Sequence, residues 1–237
     1  MRRYGFHGTS HLYVSREAAR HLGKAPEEVN LITLHLGNGA SAAAVRGGRS
    51  VDTTMGLTPM EGLMMGTRSG DIDPALHFYL MRQAGMSADE LEKALNSQSG
   101  LKGICGRIDM REIQEQANQG DESAELALEM FCYRIKKYLG AYFAVLGRLD
   151  ALVFTGGIGE NSVLVRRQVC SGLDHMGIRL EEGKNAAVSG EISEIQMDSA
   201  PVRVLVIRTN EELEIARQTI RAIRRARGEE GPPTCGV

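Results

Sequence analysis

Residues 30–54, NLITLHLGNGASAAAVRGGRSVDTT, decide the fold class of this chain. Three runs of apolar and β-branched residues are separated by two glycine-containing breaks, Gly37-Asn38-Gly39 and Gly47-Gly48. Such breaks are typical of tight turns between antiparallel strands, because glycine and asparagine tolerate positive φ. The stretch therefore predicts a three-stranded meander.

The segments that flank this meander predict helices. Residues 9–23 have helical spacing and end at a glycine, and residues 73–82 and 87–96 each begin with a helix-start signal. A longer helix, with apolar residues at helical spacing as far as Leu146, starts at Asp121 or Ser123. Most of the chain outside the meander is therefore expected to be helical.

Two short apolar runs, residues 151–154 and 202–207, predict buried strands that each lead into a helix. The first leads through a glycine-rich turn into a helix over residues 162–173. The order of three strands, helices, strand, helix, strand and helix predicts an α/β fold with a mixed β-sheet.

Two segments predict irregular structure. Residues 55–71 contain four glycines and read as a loop with a short helix at about residues 60–64. Loops of this length inside compact domains are usually functional. From residue 221 the chain is basic and then rich in glycine and proline, so the end is expected to fray.

Composition excludes several classes of function. The 237 residues carry a formal net charge of −2, so no overall field attracts nucleic acid or an anionic membrane. No apolar run approaches the roughly 20 residues that span a bilayer, and we expect a cytoplasmic protein. The four cysteines lie far apart without a zinc-binding spacing, and are expected to be reduced thiols.

The glycine-containing turn from His35 to Gly39 is the first candidate site. Its glycines expose backbone N–H groups that can bind a phosphate, although an Asn-Gly dipeptide is also the commonest turn signal. The second candidate is the glycine-rich stretch that follows residues 151–154. A strand that delivers glycines to a helix start is a typical nucleotide site, but this spacing equally fits a tight connection and lacks the third glycine of the dinucleotide fingerprint.

Three charged or ionisable positions complete the candidates. Arg68 stands between glycines and suits a phosphate or carboxylate, or else pairs with Asp71 or Asp73 on the surface. His7 and His11, four residues apart, predict surface histidines at a helix start in preference to a zinc pair.

The last helix is expected to begin with a capping box between Thr209 and Glu212. That box would leave the Glu211 carboxylate free to meet a hydrated Mg²⁺ or to stay in solvent.

Taken together and in order, these motifs resemble the acetate kinase family over nearly the whole chain. They are RRYGFHGTSH, HLGNGAS, DTTMGLTPMEGLMMGTRSGDIDP, FTGGIGENS and TNEEL. The resemblance implies a ribonuclease-H-like, actin-like ATPase domain with flanking helices. Residues 1–30 and 31–220 would form one carboxyl-terminal nucleotide-binding domain, with residues 221–237 as a flexible tail. The amino-terminal domain of the family would be absent.

The resemblance also implies a role for each matched residue. His7 and Arg68 are similar to the catalytic pair that contacts the transferring phosphoryl group, Phe6 and Pro59 to the acetate pocket, and Glu211 to the Mg²⁺ ligand. The positions similar to the family's ATP-binding residues are His35, Leu36, Gly37, Asn38, Gly39, Asp109, Met110, Arg111, Gly157, Ile158, Gly159, Glu160 and Asn161.

The implied reaction is a reversible, Mg²⁺-dependent transfer of the ATP γ-phosphoryl group to acetate, giving acetyl phosphate and ADP. Because the absent domain supplies a second arginine, a catalytic aspartate and another phosphate turn, we expect the isolated chain to be inactive. The alternatives are a propionate or butyrate kinase, a non-catalytic ATP-binding module and a purely structural fragment. A nicotinamide-dependent oxidoreductase is a more distant alternative.

The expected partners are a short carboxylate and a second copy of the chain. The long helix that ends at Leu146 is amphipathic on more than one face. The family is dimeric, so burial of the second face predicts a homodimer.

Overall fold

The structure, a computed structural model, describes residues 3–228. Within this range the strands form a six-stranded sheet in the order β3-β2-β1-β4-β6-β5. The strands are β1 (Asn30–Leu36), β2 (Ala40–Arg46), β3 (Arg49–Thr53), β4 (Ala151–Thr155), β5 (Ile192–Glu194) and β6 (Arg203–Ile207).

Helices cover both faces of this sheet. They are α1 (Gly8–His21), α2 (Ala75–Gln83), α3 (Ala88–Ser97), α4 (Gly100–Cys105), α5 (Met110–Asn118), α6 (Glu122–Leu146), α7 (Gly156–Asn161), α8 (Val163–Cys170), α9 (Glu182–Ala186) and α10 (Glu211–Ala226). Single 3₁₀ turns occur at Pro26–Glu28 and Asp174–Met176. No helix within residues 3–228 is long and apolar enough to cross a membrane.

The predicted meander and the mixed sheet are confirmed. Strand β2 pairs antiparallel with both β1 and β3, whereas β4 pairs in parallel with both β1 and β6. The arrangement is the ribonuclease-H-like α/β fold that the motifs imply. The short antiparallel edge strand β5 was not predicted, because three half-buried residues carry too weak a pattern.

The sheet separates two apolar cores. One face, which includes Leu34 and Phe154, packs against α6 and its neighbouring helices. The opposite face, which includes Leu31 and Val153, packs against α1. Successive residues of a strand point to opposite faces, so Thr33 of β1 lies on the α1 side, among apolar neighbours.

Helix starts follow the sequence closely where a side chain caps them. The Asp121 carboxylate accepts hydrogen bonds from the Ser123 and Ala124 N–H groups at the start of α6. The Ser87 and Glu90 side chains form the predicted capping box of α3. Helices α4 and α5 were not predicted.

Four local predictions differ from the structure. Residues 60–64 are not helical, since Gly62 has a φ of 102° and its N–H binds the Asp71 carboxylate. The glycine turn after β4 is instead the start of α7, a helix.

At the last helix the cap is Asn210, which accepts from the Leu213 N–H group, and not Thr209 with Glu212. Helix α10 also continues to Ala226, past the predicted fraying point. The rest of the predicted tail, residues 229–237, lies outside the described residues.

Candidate nucleotide and phosphoryl site

The candidate residues gather at one edge of the sheet because β1, β4 and β6 run in parallel. In register, His35 of β1 lies beside Thr155 of β4, and across the hairpin it faces Ser41 of β2. The carboxyl ends of these strands therefore present two glycine-containing segments next to each other. We call them the first corner (residues 35–39) and the second corner (residues 156–161).

The first corner is a tight turn braced by the loop that carries Arg68. The Gly37 N–H donates to the Gly39 carbonyl at 3.0 Å, and the Asn38 carbonyl accepts from the Gly66 N–H at 3.0 Å. A Cβ atom on Gly66 would lie only 1.9 Å from Asn38 Oδ1. The absence of a side chain at Gly66 thus lets this loop touch the corner.

His7 approaches the first corner with a strained backbone. It precedes α1 with a φ of 57°, which makes it the one non-glycine residue with positive φ among residues 3–228. A left-handed conformation costs a non-glycine residue roughly 1–2 kcal/mol. Such strain is typical of functional positions that the surrounding structure holds in place.

The His7 ring is held by stacking and by one hydrogen bond. Its centroid lies 4.2 Å from that of His35, with the rings stacked, and its Nδ1 lies 2.9 Å from Ser41 Oγ. Burial lowers the pKa of His7 to about 4, with the nearby His35 and Arg68 acting in the same direction and Glu211 opposing them. His7 is therefore neutral near pH 7.

His11 corrects the prediction of surface histidines. Its side chain is buried, with Nε2 2.7 Å from Ser41 Oγ and Nδ1 2.7 Å from Thr33 Oγ1. Burial lowers its pKa to about 3. Both ring nitrogens of His11 thus contact buried hydroxyls. The described residues contain no group of three or more potential metal-ligating side chains.

Arg68 does not form the predicted surface pair with Asp71 or Asp73. Its Nη1 donates to the Pro59 carbonyl at 3.4 Å, and within residues 3–228 it forms no ion pair, whereas Asp71 interacts with Arg134 and Tyr138. A Cβ atom on Gly39 would lie 3.5 Å from both Arg68 Nη1 and His7 Nε2. The guanidinium and the imidazole therefore flank the same point above the first corner.

The second corner is fixed from within the protein. Gly156 has a φ of 76°, and a Cβ atom there would lie 2.8 Å from the Leu36 carbonyl oxygen. The Glu160 carboxylate accepts from the N–H groups of Gly156, at 3.0 Å, and Thr209, at 3.1 Å. The buried Arg166 guanidinium donates to the Gly159 and Glu160 carbonyls, both at 2.9 Å.

A cleft of about 730 Å³ lies between the two corners and the start of α5. Eight of the predicted ATP-binding residues line it, together with Ile108, Gln114 and Ser162. The eight are Gly37, Asn38, Asp109, Met110, Arg111, Gly157, Ile158 and Asn161. Arg111 lies over the cleft with its guanidinium paired to Asp109, Nη2 to Oδ2 at 2.5 Å.

The other five predicted ATP-binding residues do not line the cleft but lie behind or beside the residues that do. Leu36 and Gly159 are buried in the packing between β1 and α7. The Glu160 carboxylate accepts hydrogen bonds from backbone N–H groups. His35 and Gly39 face the His7 side of the first corner. A larger depression of about 1330 Å³, between α1 and α10, contains none of the predicted site residues.

Glu211, Phe6 and Pro59 surround the same corner. Glu211 is the first residue of α10, partly exposed, and its charge acts on His7. Phe6 directly precedes His7 and is 37% exposed, and Pro59 contacts Arg68 through its carbonyl. The structure thus brings these three positions to the rim of the first corner.

Sequence reasoning missed four buried polar residues that hold these groups: Ser10, Thr33, Ser41 and Arg166. Ser10 Oγ lies 2.8 Å from His35 Nδ1 and 2.9 Å from Thr209 Oγ1. The available signal was a polar residue at a position where alternation calls for an apolar one, as at Thr33. That signal does not indicate which partner the residue meets.

Comparisons with known proteins show the family of this chain. Residues 1–217 match the acetokinase family. An acetate kinase from Syntrophobacter fumaroxidans is 64% identical over 226 residues, which are 95% of this chain and 55% of the relative. An acetate kinase from Streptomyces avermitilis is 59% identical over 92% of this chain and 54% of its own length.

Solved structures are similar over the same span. The crystal structure of Porphyromonas gingivalis acetate kinase matches with a TM-score of 0.90 and 45% identity, covering 93% of this chain and 56% of the other. That of a propionate kinase from Francisella tularensis matches with a TM-score of 0.86 and 47% identity, covering 92% and 55%. The chain spans about half the length of the relatives it matches, and it belongs to the acetokinase family.

Proposed function

We propose that this chain is the nucleotide-binding half of an acetate kinase. It binds ATP or ADP with Mg²⁺ in the cleft between the two corners and places the transferring phosphoryl group at His7 and Arg68. One observation carries the proposal: the guanidinium and imidazole flank one point on the first corner, and this same corner lines a cleft together with the second corner.

The proposed reaction is an in-line displacement at the γ-phosphorus of ATP. A carboxylate oxygen of acetate forms the new bond to phosphorus as the bond to the ADP oxygen breaks, and the reverse reaction regenerates ATP. Acetate is already a nucleophile and needs no base, so the protein contributes mainly positioning and charge neutralisation. Arg68 and His7 would donate hydrogen bonds to the phosphoryl oxygens, and N–H groups of the first corner would bind the adjoining phosphate.

The residues present fit Mg²⁺ held in the manner usual for nucleotide enzymes. Mg²⁺ is bound there by one or two carboxylates together with phosphates and water. Glu211 offers one such carboxylate, which forms no ion pair within residues 3–228 and lies close enough to His7 to influence its pKa. When bound, Mg²⁺ neutralises developing phosphate charge.

The acceptor is proposed to be acetate, with propionate or butyrate as the alternative. Phe6 is exposed beside His7 and supplies an apolar surface of the kind that a short alkyl chain needs. The similar Francisella tularensis protein is a propionate kinase, so the preferred acceptor does not follow from overall similarity.

Equilibrium dialysis of the chain with labelled ADP and Mg²⁺ tests the proposal. We expect saturable binding that is weakened by at least tenfold in Arg68→Ala, because a phosphate would lose its charged donor. Arg82→Ala, an exposed arginine of α2, is the control. Absence of saturable binding would favour a purely structural fragment.

We further propose that acetate phosphorylation requires the part of the protein that the relatives have in addition. Several side chains on α10 are apolar and exposed, which suits packing against further protein: Leu213, Ile215, Ile220 and Ile223. The chain alone should give negligible acetyl hydroxamate from acetate, ATP and hydroxylamine. Joining it to the amino-terminal portion of the Syntrophobacter fumaroxidans relative should restore the activity, and robust activity of the chain alone would refute this requirement.

The proposed cytoplasmic protein is also expected to form a homodimer through α6. Leu126, Met130 and Tyr133 are 49%, 42% and 63% exposed and follow one another at helical spacing. Light scattering at micromolar concentration should give twice the chain mass, and Met130→Glu should give the monomer. A wild-type monomer would contradict the proposal.

A further inference from the structure

Four side chains form a continuous hydrogen-bonded row from the sheet to the phosphoryl site. Thr33 Oγ1 lies 2.7 Å from His11 Nδ1, His11 Nε2 lies 2.7 Å from Ser41 Oγ, and Ser41 Oγ lies 2.9 Å from His7 Nδ1. Thr33 and Ser41 are fully buried, and within residues 3–228 their hydroxyls have no other hydrogen-bond partner.

Both imidazoles in this row are neutral near pH 7, because burial lowers the pKa of each. A neutral imidazole has one N–H donor and one acceptor nitrogen, and a hydroxyl has a single proton to donate. The positions of the protons along the row are therefore coupled.

If His7 donates from Nδ1 to Ser41, one buried hydroxyl of the row is left with an unpaired proton. Ser41 then donates to His11, whose Nδ1–H donates to Thr33, and the Thr33 hydroxyl proton has no acceptor. If instead both histidines donate to Ser41, the Ser41 proton has none. If His7 Nδ1 and His11 Nε2 are both acceptors, the single Ser41 proton can serve only one of them, and the Thr33 proton again has no acceptor. An unpaired buried donor costs more than an ordinary hydrogen bond contributes.

One arrangement gives an acceptor to both buried hydroxyl protons and to the proton of His11. Thr33 donates to His11 Nδ1, His11 Nε2–H donates to Ser41, and Ser41 donates to His7 Nδ1. The proton of His7 must then be on Nε2. That nitrogen lies on the side of the ring that faces the first corner, where a Cβ atom on Gly39 would be 3.5 Å from it and from Arg68 Nη1.

We propose that His11 acts through Ser41 as a positioning residue that holds His7 in the tautomer protonated on Nε2, so that His7 presents a fixed donor beside Arg68. Two adjacent donors select an anionic oxygen over a group that must itself donate. The identity of that oxygen as part of a phosphoryl group rests on the proposed function. The tautomer itself does not.

Long-range ¹H–¹⁵N correlation spectra of the ligand-free chain, labelled at histidine, test the proposal. In the wild type, His7 and His11 should each show one tautomer, with acceptor-type Nδ1 and protonated Nε2. In Ser41→Ala, the Nδ1 shift of His7 should move towards the averaged value of the exposed His175 in the same spectrum. Ser15→Ala is the matched control, because the Ser15 hydroxyl bonds the His11 carbonyl and not the row.

Three results would overturn the proposal: a wild-type His7 protonated on Nδ1, a wild-type His11 protonated on Nδ1, or a His7 tautomer unchanged in Ser41→Ala. The first two need only the wild-type chain, so they decide the matter even if the variant does not fold. Adding ADP and Mg²⁺ to the same sample separates this inference from the proposed function. Absence of any shift on addition would count against nucleotide binding and leave the tautomer result unaffected.

Discussion

The two corners lie at the ends of adjacent parallel strands, yet the protein holds them by different chemistry. The first corner is surrounded by neutral histidines and hydroxyls that reach it from α1 and β2. The second is held by the Arg166 guanidinium and the Glu160 carboxylate, both bonded to backbone groups. Adjacent glycine-containing segments can therefore depend on quite different interactions.

Because of this difference, the two corners depend on their side chains for different purposes, ligand binding at the first and structural support at the second. At the first corner, His7 both belongs to the hydrogen-bonded side chains and faces the point where a ligand would bind. At the second, the buried Arg166 bonds Gly159, Glu160 and Asn185 from behind, and the cleft is lined by other residues. Changes at the second corner should mainly alter stability, whereas conservative changes at the first should mainly alter binding.

Acidification should have the largest effect and should act through the first corner. The pKa values of His7 and His11, about 4 and 3, lie below the ordinary 6.5, so the folded state excludes protons that the unfolded state binds. Their contribution to stability is complete above about pH 6.5 and is lost as the pH falls. We expect each to cost about 2 kcal/mol of unfolding free energy by pH 5.

Urea unfolding between pH 7 and pH 5 measures this effect, because most carboxylates titrate below that window. His11→Gln should reduce the slope by about one proton, and the exposed His175→Gln should not change it. A wild-type stability that is flat over this range would show that the histidine row is not neutral in the folded state.

Removing the Arg166 guanidinium should have the next largest effect. Arg166→Met leaves the Gly159 and Glu160 carbonyls without their charged donor, at a cost on the order of 3 kcal/mol. The neighbouring Arg167→Met is the matched control, because the one ion pair of Arg167 within residues 3–228 is an exposed one with Glu182. This variant should change stability by less than about 1 kcal/mol. Equal urea midpoints for the two variants would contradict a supporting role for Arg166.

A pair of glycine-to-alanine variants compares the corners directly. Gly156→Ala places a methyl group 2.8 Å from the Leu36 carbonyl oxygen at a positive φ and should destabilise the fold by roughly 2 kcal/mol. The atoms nearest to the new methyl group of Gly39→Ala would be side-chain atoms of His7 and Arg68 at 3.5 Å, so stability should change by less than about 0.5 kcal/mol.

For ADP affinity we expect the reverse order, with the larger loss in Gly39→Ala. The methyl group of Gly39→Ala would occupy the space between His7 and Arg68, and we expect ADP affinity measured by calorimetry to fall about tenfold, or about 1.4 kcal/mol. A destabilised Gly39→Ala with unaltered affinity would remove the distinction between the corners.

The smallest effect is expected at the rim of the cleft. Arg111 and Asp109 form an exposed ion pair, and such pairs contribute little to stability because solvent screens them. Arg111→Ala should leave the urea midpoint of the chain unchanged. A clear loss of stability would mean that this pair is part of the support of the cleft.

Much of the architecture could be predicted from the sequence because its signals are local. The meander follows from Gly37-Asn38-Gly39 and Gly47-Gly48, and the starts of α3 and α6 follow from their caps. Helix α4 carries no such signal, since it has only six residues and the Ser99 side chain does not cap it. Helix α5 was missed although Asp109 caps it as Asp121 caps α6. The short helix predicted before Arg68 is absent for another reason. The Gly62 N–H there donates to the Asp71 carboxylate, a partner outside the predicted helix.

By itself the sequence determined the mixed sheet, both glycine-containing segments and the residues that match the family. It could not determine which of those residues meet. That His11 is buried and joined to His7 through Ser41, and that Arg166 supports the second corner from inside, depends on contacts between residues up to 34 positions apart. Such contacts are fixed only when strands pair and helices pack, because side-chain alternation gives the face of a strand but not its partner.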